Sequence, residues 1–393
     1  MNPPSKPGSR LASIDALRGA VMILMALDHT RDFFNSSAMS FSPTDLEKTT
    51  PILFFTRWIT HFCLPVFMFT AGAGAFLWWR MGERTTGELS RFLWTRGLWF
   101  VVLELTVMRL AYNFQYPGRF PVFLLILWIF GICMIVMAAL VHLPTRWLVG
   151  FSMAGIALHD CLDRVRFANF GWGIIHRPGV YNLAGVPVLV VYTLLPWLAV
   201  MTGGFCFAHL LLEEPGIRRR RMRRIGLAMT FAFLTLRSID RYGDPAPWSA
   251  QKSGVFTVLS FLNCTKYPGS LDFLLMTLGP ALVVLAWLDG RTWARTNLLI
   301  VFGRVPLFYF VLHFYLIHAL AALLALVRYG GRAWAFVFNP PPSMGGQGFP
   351  SGYGYSLGVT YLLWIVVIAS LYPVCRCYAG YKSTHRSRRL SYL

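Results

Sequence analysis

Ten stretches of this chain are apolar over most of the length that a helix needs to cross a lipid bilayer, about 20 residues. They fall near 14–34, 51–79, 92–112, 119–141, 146–159, 186–212, 225–238, 271–288, 297–325 and 355–375. In hydrocarbon every backbone N–H and C=O must be satisfied within the protein, so a chain written this way is driven to helices. The fold it predicts is an all-α, polytopic membrane helical bundle of about ten transmembrane helices. Composition agrees. Of 393 residues, 56% are hydrophobic and 13% charged, about half the charged share of an ordinary soluble domain. Mean hydropathy is +0.54. Aromatics at 16% exclude a disordered chain. The whole of 1–393 reads as one integral-membrane domain with tails at 1–12 and 376–393.

Charge sets the expected orientation. The chain has 36 Lys+Arg against 16 Asp+Glu, a net +20. With the N-terminus inside, the inner segments carry 20 of the basic residues and the longer outer loops 12. That asymmetry places both termini in the cytoplasm. The run RRRRMRR at 218–224 is read as a loop that fixes topology, and nucleic acid is not an expected partner. The first apolar run contains Asp28 and His29 and lacks a small-residue cleavage site, so no cleavable signal is expected. The predicted location is a bacterial inner (plasma) membrane. The seven cysteines have no framework spacing and read as small core residues. Outer loops with turn chemistry are expected at Gly171–Gly179, Gly243–Pro247 and Asn339–Gly354. The sequence holds no internal repeat, P-loop, dinucleotide fingerprint or HExxH.

Ionisable residues in a spanning segment are costly and mark function by default. The first helix is the richest, with Asp15 and Arg18 near one end and Asp28, His29, Arg31 and Asp32 near the other. Arg18 and His29 are eleven residues apart. At about 100° per residue they lie within roughly 20° of one face and some 16 Å apart along the axis. Asp15 has the spacing to pair with Arg18. Asp32, one turn after His29, has the spacing to hold its ring, and Asp28 is expected to point elsewhere. His61, in the stretch Arg57–Pro65, reads equally as a second acid/base or substrate ligand and as an interfacial histidine beside Trp58. Glu104, Arg109 and Asn113 read equally as a site or a structural clamp. Lys266 and Tyr267 precede the eighth helix, where a cation suits an anionic group. His313 and His318 sit about 140° apart around the ninth helix. That geometry argues against a shared metal, and they read, with Tyr309, as lining a polar interior.

These residues also carry a resemblance. Arg18, ten intervening residues and His29 match the first-helix pattern of transmembrane acyltransferases of the acyltransferase-3 type. The wider pattern resembles the catalytic domain of the heparan-α-glucosaminide N-acetyltransferase family. The matching stretches are RLASIDALRGAVMILMALDHTRDFF at 10–34, THFCLPVFMFTAG at 60–72, TLLPWLAVMTGG at 193–204, LNCTKYPGSLDFLLMTLGP at 262–280 and GRVPLFYFVLHFYLIH at 303–318. The resemblance implies transfer of an acyl group, acetyl in the family, from cytoplasmic acyl-CoA to a hydroxyl or amine of a sugar-like acceptor on the outer side. Its implied partners are the lipid bilayer, acyl-CoA and a carbohydrate-like acceptor, with a homodimer left open. No metal is implied. The catalytic set is then His29, Asp32 and His61, as general base or acylated nucleophile. Donor binding falls to Arg18, Lys266, Tyr267 and His313, and acceptor binding to Asp28, Arg31 and His318. The family's loop histidine has no counterpart in 36–50, which leaves His29 and His61 as alternatives. The rival function classes are a transporter of a small polar or anionic substrate and a structural membrane protein. The missing repeat argues against the first and the buried acid/base cluster against the second.

Overall fold

The computed structural model describes residues 11–114, 121–341 and 345–385. Its helices in chain order are α1 Ala12–Phe34, α2 Pro51–Trp58, α3 Cys63–Met81, α4 Thr86–Leu103, α5 Arg109–Asn113, α6 Ile126–Leu140, α7 Thr145–Ala157 and α8 Phe170–Ile175. They continue with α9 Leu194–Phe207, α10 Pro215–Ile239, α11 Gly254–Leu262, α12 Leu271–Leu288, α13 Leu298–Arg304, α14 Pro306–Tyr329, α15 Trp334–Val337 and α16 Leu357–Thr384. Among the described residues, five helical segments are long and apolar enough to cross a membrane: Pro51–Met81, Leu194–Leu212, Leu271–Leu288, Pro306–Ala333 and Leu357–Thr384. The α1 helix falls outside that set because its two ends carry Asp15, Arg18, Asp28, Arg31 and Asp32. The α12 helix lies at the centre, with 78% of its most apolar window buried, whereas α16 lies at the periphery with 17%.

The all-α expectation needs one correction. Strands β1 Val122–Leu124, β2 Gly179–Leu183 and β3 Val186–Val190 form a three-stranded sheet in the order β1-β3-β2. The β1–β3 pair is parallel and the β2–β3 pair antiparallel. Two of the predicted spans, 119–141 and 186–212, therefore begin as strands. A short apolar run rich in Val has no period that separates strand from buried helix. The turn Ala184-Gly185, with φ of 51° and 87°, supplies the two left-handed residues of a tight hairpin.

The arginine run is also not a loop. Residues 218–224 lie within α10, where Pro215 opens the helix and Arg is a strong helix former. Arg218 donates to both Asp289 oxygens, at 2.8 and 3.0 Å, and Ser13 donates to the same carboxylate at 3.0 Å. One buried acid thus ties the start of α1 and of α10 to the end of α12. The predicted 297–325 span is broken at Val305, before Pro306, into α13 and α14. The tail expected from 376 is helical as far as Thr384. Residues 386–393, and the first ten residues of the N-terminal tail, lie outside the described residues.

Glycines set how closely the helices approach. A Cβ on Gly19 would stand 1.9 Å from the Leu299 carbonyl oxygen, and one on Gly303 would stand 1.8 Å from that of Asp15. Gly72 and Gly204 make the same reciprocal contact between α3 and α9, against the carbonyls of Met201 and Phe69. Backbones packed this closely leave no room for a side chain. Gly303→Leu is therefore expected to remove most folded protein, because backbone cannot rotate away from the clash. Gly150→Leu, at a position with nothing within 4 Å, is expected to be tolerated. Yield of monodisperse protein on size-exclusion chromatography reads both.

Candidate active site

A cavity of about 550 Å³ opens where the C-terminal end of α1 meets α3, α14 and the loops before α2 and α12. From α1 it is lined by Met25, Asp28, His29, Arg31 and Asp32. Arg57, Thr60, Cys63, Leu64 and Phe67 come from α2–α3, and Tyr112, Tyr192, Lys266, Tyr267, Phe310 and Phe314 close it. Short helical turns at Ile59–Phe62 join α2 to α3 and bring Arg57 and Thr60 to face α1. The far rim is tied to the segment that precedes α16. Tyr355 N donates to the Phe34 carbonyl at 2.7 Å, Ser36 N to the Tyr355 carbonyl at 3.0 Å, and the Tyr353 hydroxyl to the Phe33 carbonyl at 2.9 Å.

The polar wall is a shared ion network. Arg31 donates to Asp28 at 2.8 Å and to Asp32 at 2.7 Å. Arg57 donates to the other Asp28 oxygen and, at 3.1 Å, to the Thr60 hydroxyl. The Arg31 side chain is 4% exposed, and its Nε has no hydrogen-bond partner among the described residues. Lys266 lies 5.3 Å from the centre of the Tyr267 ring, whose hydroxyl is 3.5 Å from that of Tyr192. Three cations and two carboxylates therefore face one apolar-walled space. His29 sits on its edge with its ring 4.6 Å from Phe314 and 5.2 Å from His313. His29 Nε2 is buried without a partner among the described residues. A ring nitrogen left unpaired beside a cavity is free to act as a base.

The structure brings Asp28, His29, Arg31, Asp32, Lys266 and Tyr267 to this one cavity. It also overturns two details of the sequence reading. Asp28 does not point elsewhere but bridges the two arginines. Asp32 is engaged by Arg31 and accepts no hydrogen bond from His29. The residues one turn apart were geometrically able to pair, but a guanidinium between two carboxylates took both. The other candidates lie off the cavity. Arg18 donates from Nε to the Thr70 hydroxyl at 3.2 Å and from Nη2 to the Thr70 carbonyl, about three turns of α1 away. His61 is 3% exposed with its ring 5.4 Å from Phe273 and its Nδ1 unpaired among the described residues. His313 is buried between His29 and Tyr309. His318 shares a hydrogen through Nδ1 with the Ala111 carbonyl at 2.8 Å and stacks on Phe114 at 4.0 Å, so it packs α14 on α5.

Tyr192 escapes the sequence reading, since nothing in a polar Tyr beside a Val run marks it as cavity lining. Arg57 enters that reading as the start of the His61 stretch and as an outer basic residue, but not as a partner of Asp28. Glu104 resolves as a clamp. It sits in a π turn and accepts from the Tyr112 hydroxyl at 2.8 Å and from the Leu127 and Trp128 amides at 2.8 and 3.2 Å, capping the start of α6. Among the described residues no group of three His, Cys, Asp or Glu is arranged to hold a metal ion.

With this geometry in place, the comparison with known families is decisive. Residues 10–240 match the family described as heparan-alpha-glucosaminide N-acetyltransferase, catalytic. The chain belongs to this family. The match runs from α1 to the end of α10, so it covers His29, the ion network and His61. Lys266, Tyr267 and the α14 histidines fall beyond it. No individual curated protein matches the chain. Membership and the apolar helices make this an integral-membrane acetyltransferase.

Proposed function

We propose that this acetyltransferase moves an acetyl group from cytoplasmic acyl-CoA to a hydroxyl or amine of a sugar-like acceptor on the outer side, with His29 as general base. The observation that supports it most is the unpaired His29 Nε2 at the edge of a charged cavity, on a helix within the family match. His29 takes the proton from the acceptor as its oxygen or nitrogen attacks the thioester carbon. Phe310, Phe314, Leu64 and Phe67 keep bulk water from the reacting atoms. Asp28 and Asp32 hold Arg31 and Arg57 in place, so that cationic donors line the space where the oxyanion forms. Lys266, also on the cavity lining, adds a third cation. Charged groups fixed in a dry site need no reorganisation as charge develops, which is where most of the rate gain arises.

In this reading the donor enters from the end of the bundle that holds Arg18. The CoA nucleotide is polyanionic and stays at the cytoplasmic face, and its long, uncharged pantetheine arm reaches toward His29. Arg18→Ala is expected to raise the KM for acetyl-CoA severalfold with a smaller change in acceptor KM. Arg18→Lys restores part of it, because a point charge replaces a planar fork. Equal effects on both KM values would assign Arg18 to structure through its Thr70 bonds.

The topology belongs to the same proposal: ten spans with both ends cytoplasmic, built from α1, α2–α3, α4–α5, α6, α7, α9, α10, α12, α13–α14 and α16. Sealed inside-out vesicles test topology and function together. Acetyl-CoA added outside such vesicles should lose its thioester, and label from its acetyl group should appear on glucosamine trapped in the lumen. Single cysteines placed at Arg224 and Gln347, in a cysteine-free background, should react with an impermeant reagent from opposite sides. Labelling of both from one side overturns the ten-span arrangement. Transfer only when donor and acceptor share a side overturns the transmembrane reaction.

A further inference from the structure

Below the cavity, two imidazoles and a phenol stand in file. The His29 and His313 ring centres are 5.2 Å apart, and His313 stacks on Tyr309 at 5.3 Å with 13° between planes. His313 and Tyr309 are fully buried. His313 Nδ1 lies 3.1 Å from the Tyr309 carbonyl oxygen one turn earlier. A carbonyl only accepts, so Nδ1 carries the hydrogen and Nε2 keeps a lone pair. His29 Nε2, His313 Nε2 and the Tyr309 hydroxyl all lack a hydrogen-bond partner among the described residues. Buried polar atoms are nearly always paired, so three adjacent exceptions on two packed helices call for a reason.

The file has a direction. Gly303 packs on the Asp15 carbonyl, which sets the start of α14 beside the first turns of α1. Gly19 packs in turn on the Leu299 carbonyl, so the two contacts together set Gly19 and Gly303 at one level. His29 and His313, each ten residues further on, therefore stand side by side, and Tyr309 lies about one turn nearer the Arg18 end. The unpaired atoms thus pass from the cavity edge sideways to His313 and, at Tyr309, one turn toward the side on which the donor arm is placed above.

We propose that His313 is a second catalytic residue, carrying the proton from His29 to the departing thiol. This rests on His29 being the base. The acceptor O–H or N–H proton passes to His29 as the new bond to the acyl carbon forms. The C–S bond then breaks with its electron pair going to sulfur. The proton moves from the His29 imidazolium to His313 Nε2, and from there to the thiolate. Acceptor and acyl-CoA become acylated acceptor and free CoA thiol, with no net proton taken up and both imidazoles neutral again. His313 Nε2, unpaired among the described residues and beside His29, gives that proton a second acceptor on its way to sulfur.

Leaving-group dependence tests this. His313→Phe preserves the stacking, and His313→Gln preserves the bond to the Tyr309 carbonyl. Both are expected to lower kcat with acetyl-CoA roughly a hundredfold, with KM unchanged. With S-(4-nitrophenyl) thioacetate, whose thiolate leaves without a proton, both variants should stay within about twofold of wild type. His29→Ala should slow both donors. Equal slowing of the two donors in folded His313→Gln would assign His313 to packing and overturn the proposal, as would no slowing of either. Unchanged rates in His29→Ala would instead overturn the reading of His29.

Discussion

His29→Ala is expected to abolish acetyl transfer, by about 10²- to 10⁴-fold in turnover, while the protein folds and binds acetyl-CoA as wild type does. The reason is where the ring sits. His29 lies at the edge of the cavity with Nε2 unpaired among the described residues, so its removal breaks no hydrogen bond that holds the bundle. A base acts on the proton in flight and contributes little to ground-state binding. His29→Gln should fail as completely, since an amide keeps shape and hydrogen bonding but takes no proton. His61 provides the internal control. It is buried against Phe273 and off the cavity, so His61→Ala should cost stability more than turnover. Steady-state rates alongside a thermal unfolding midpoint separate the two. A dead His61→Ala with an active His29→Ala reverses the assignment.

Asp28→Ala is expected to be the most destabilising change in the cavity wall. Its two oxygens hold Arg31 and Arg57, and its side chain is only 15% exposed. Removing it leaves two guanidinium groups facing each other in an apolar setting. Breaking a buried pair from one side typically costs about 3–5 kcal/mol. Asp32→Ala should cost clearly less, because Arg31 keeps its bond to Asp28. Unfolding midpoints of the two variants in one detergent give the comparison. If Asp32→Ala unfolds at a lower temperature than Asp28→Ala, the network is not centred on Asp28.

How far the sequence could be read depended on the kind of signal. Long apolar runs with clean ends were legible. The structure places α12 at Leu271–Leu288, the predicted bounds, and α1 within two residues of them. Length and hydrophobicity alone decide such elements. The sheet was not legible, since β1 and β3 are three and five apolar residues joined to helices that continue the same apolarity. The arginine run is not legible as a helix from its charge, which carries orientation but no conformation; Pro215 is the one local mark of the helix start. In the site, the helical repeat identified the residues clustered at the end of α1, but not their partners. Asp28, Arg31 and Asp32 lie within about one turn, and which carboxylate the guanidinium takes depends on Arg57 from another helix. The approach of His313 to His29 likewise depends on the Gly303–Asp15 contact, a register between two helices that no local pattern encodes.

The most direct test is stoichiometry with purified protein. Wild type is mixed with acetyl-CoA, labelled in the acetyl group, and glucosamine as the acceptor probe, and free thiol and labelled saccharide are followed together. The account predicts that thiol and acetylated saccharide appear one for one, and that His29→Ala yields neither. Acetyl-CoA left intact by folded wild-type protein, or equal transfer by His29→Ala, would contradict it.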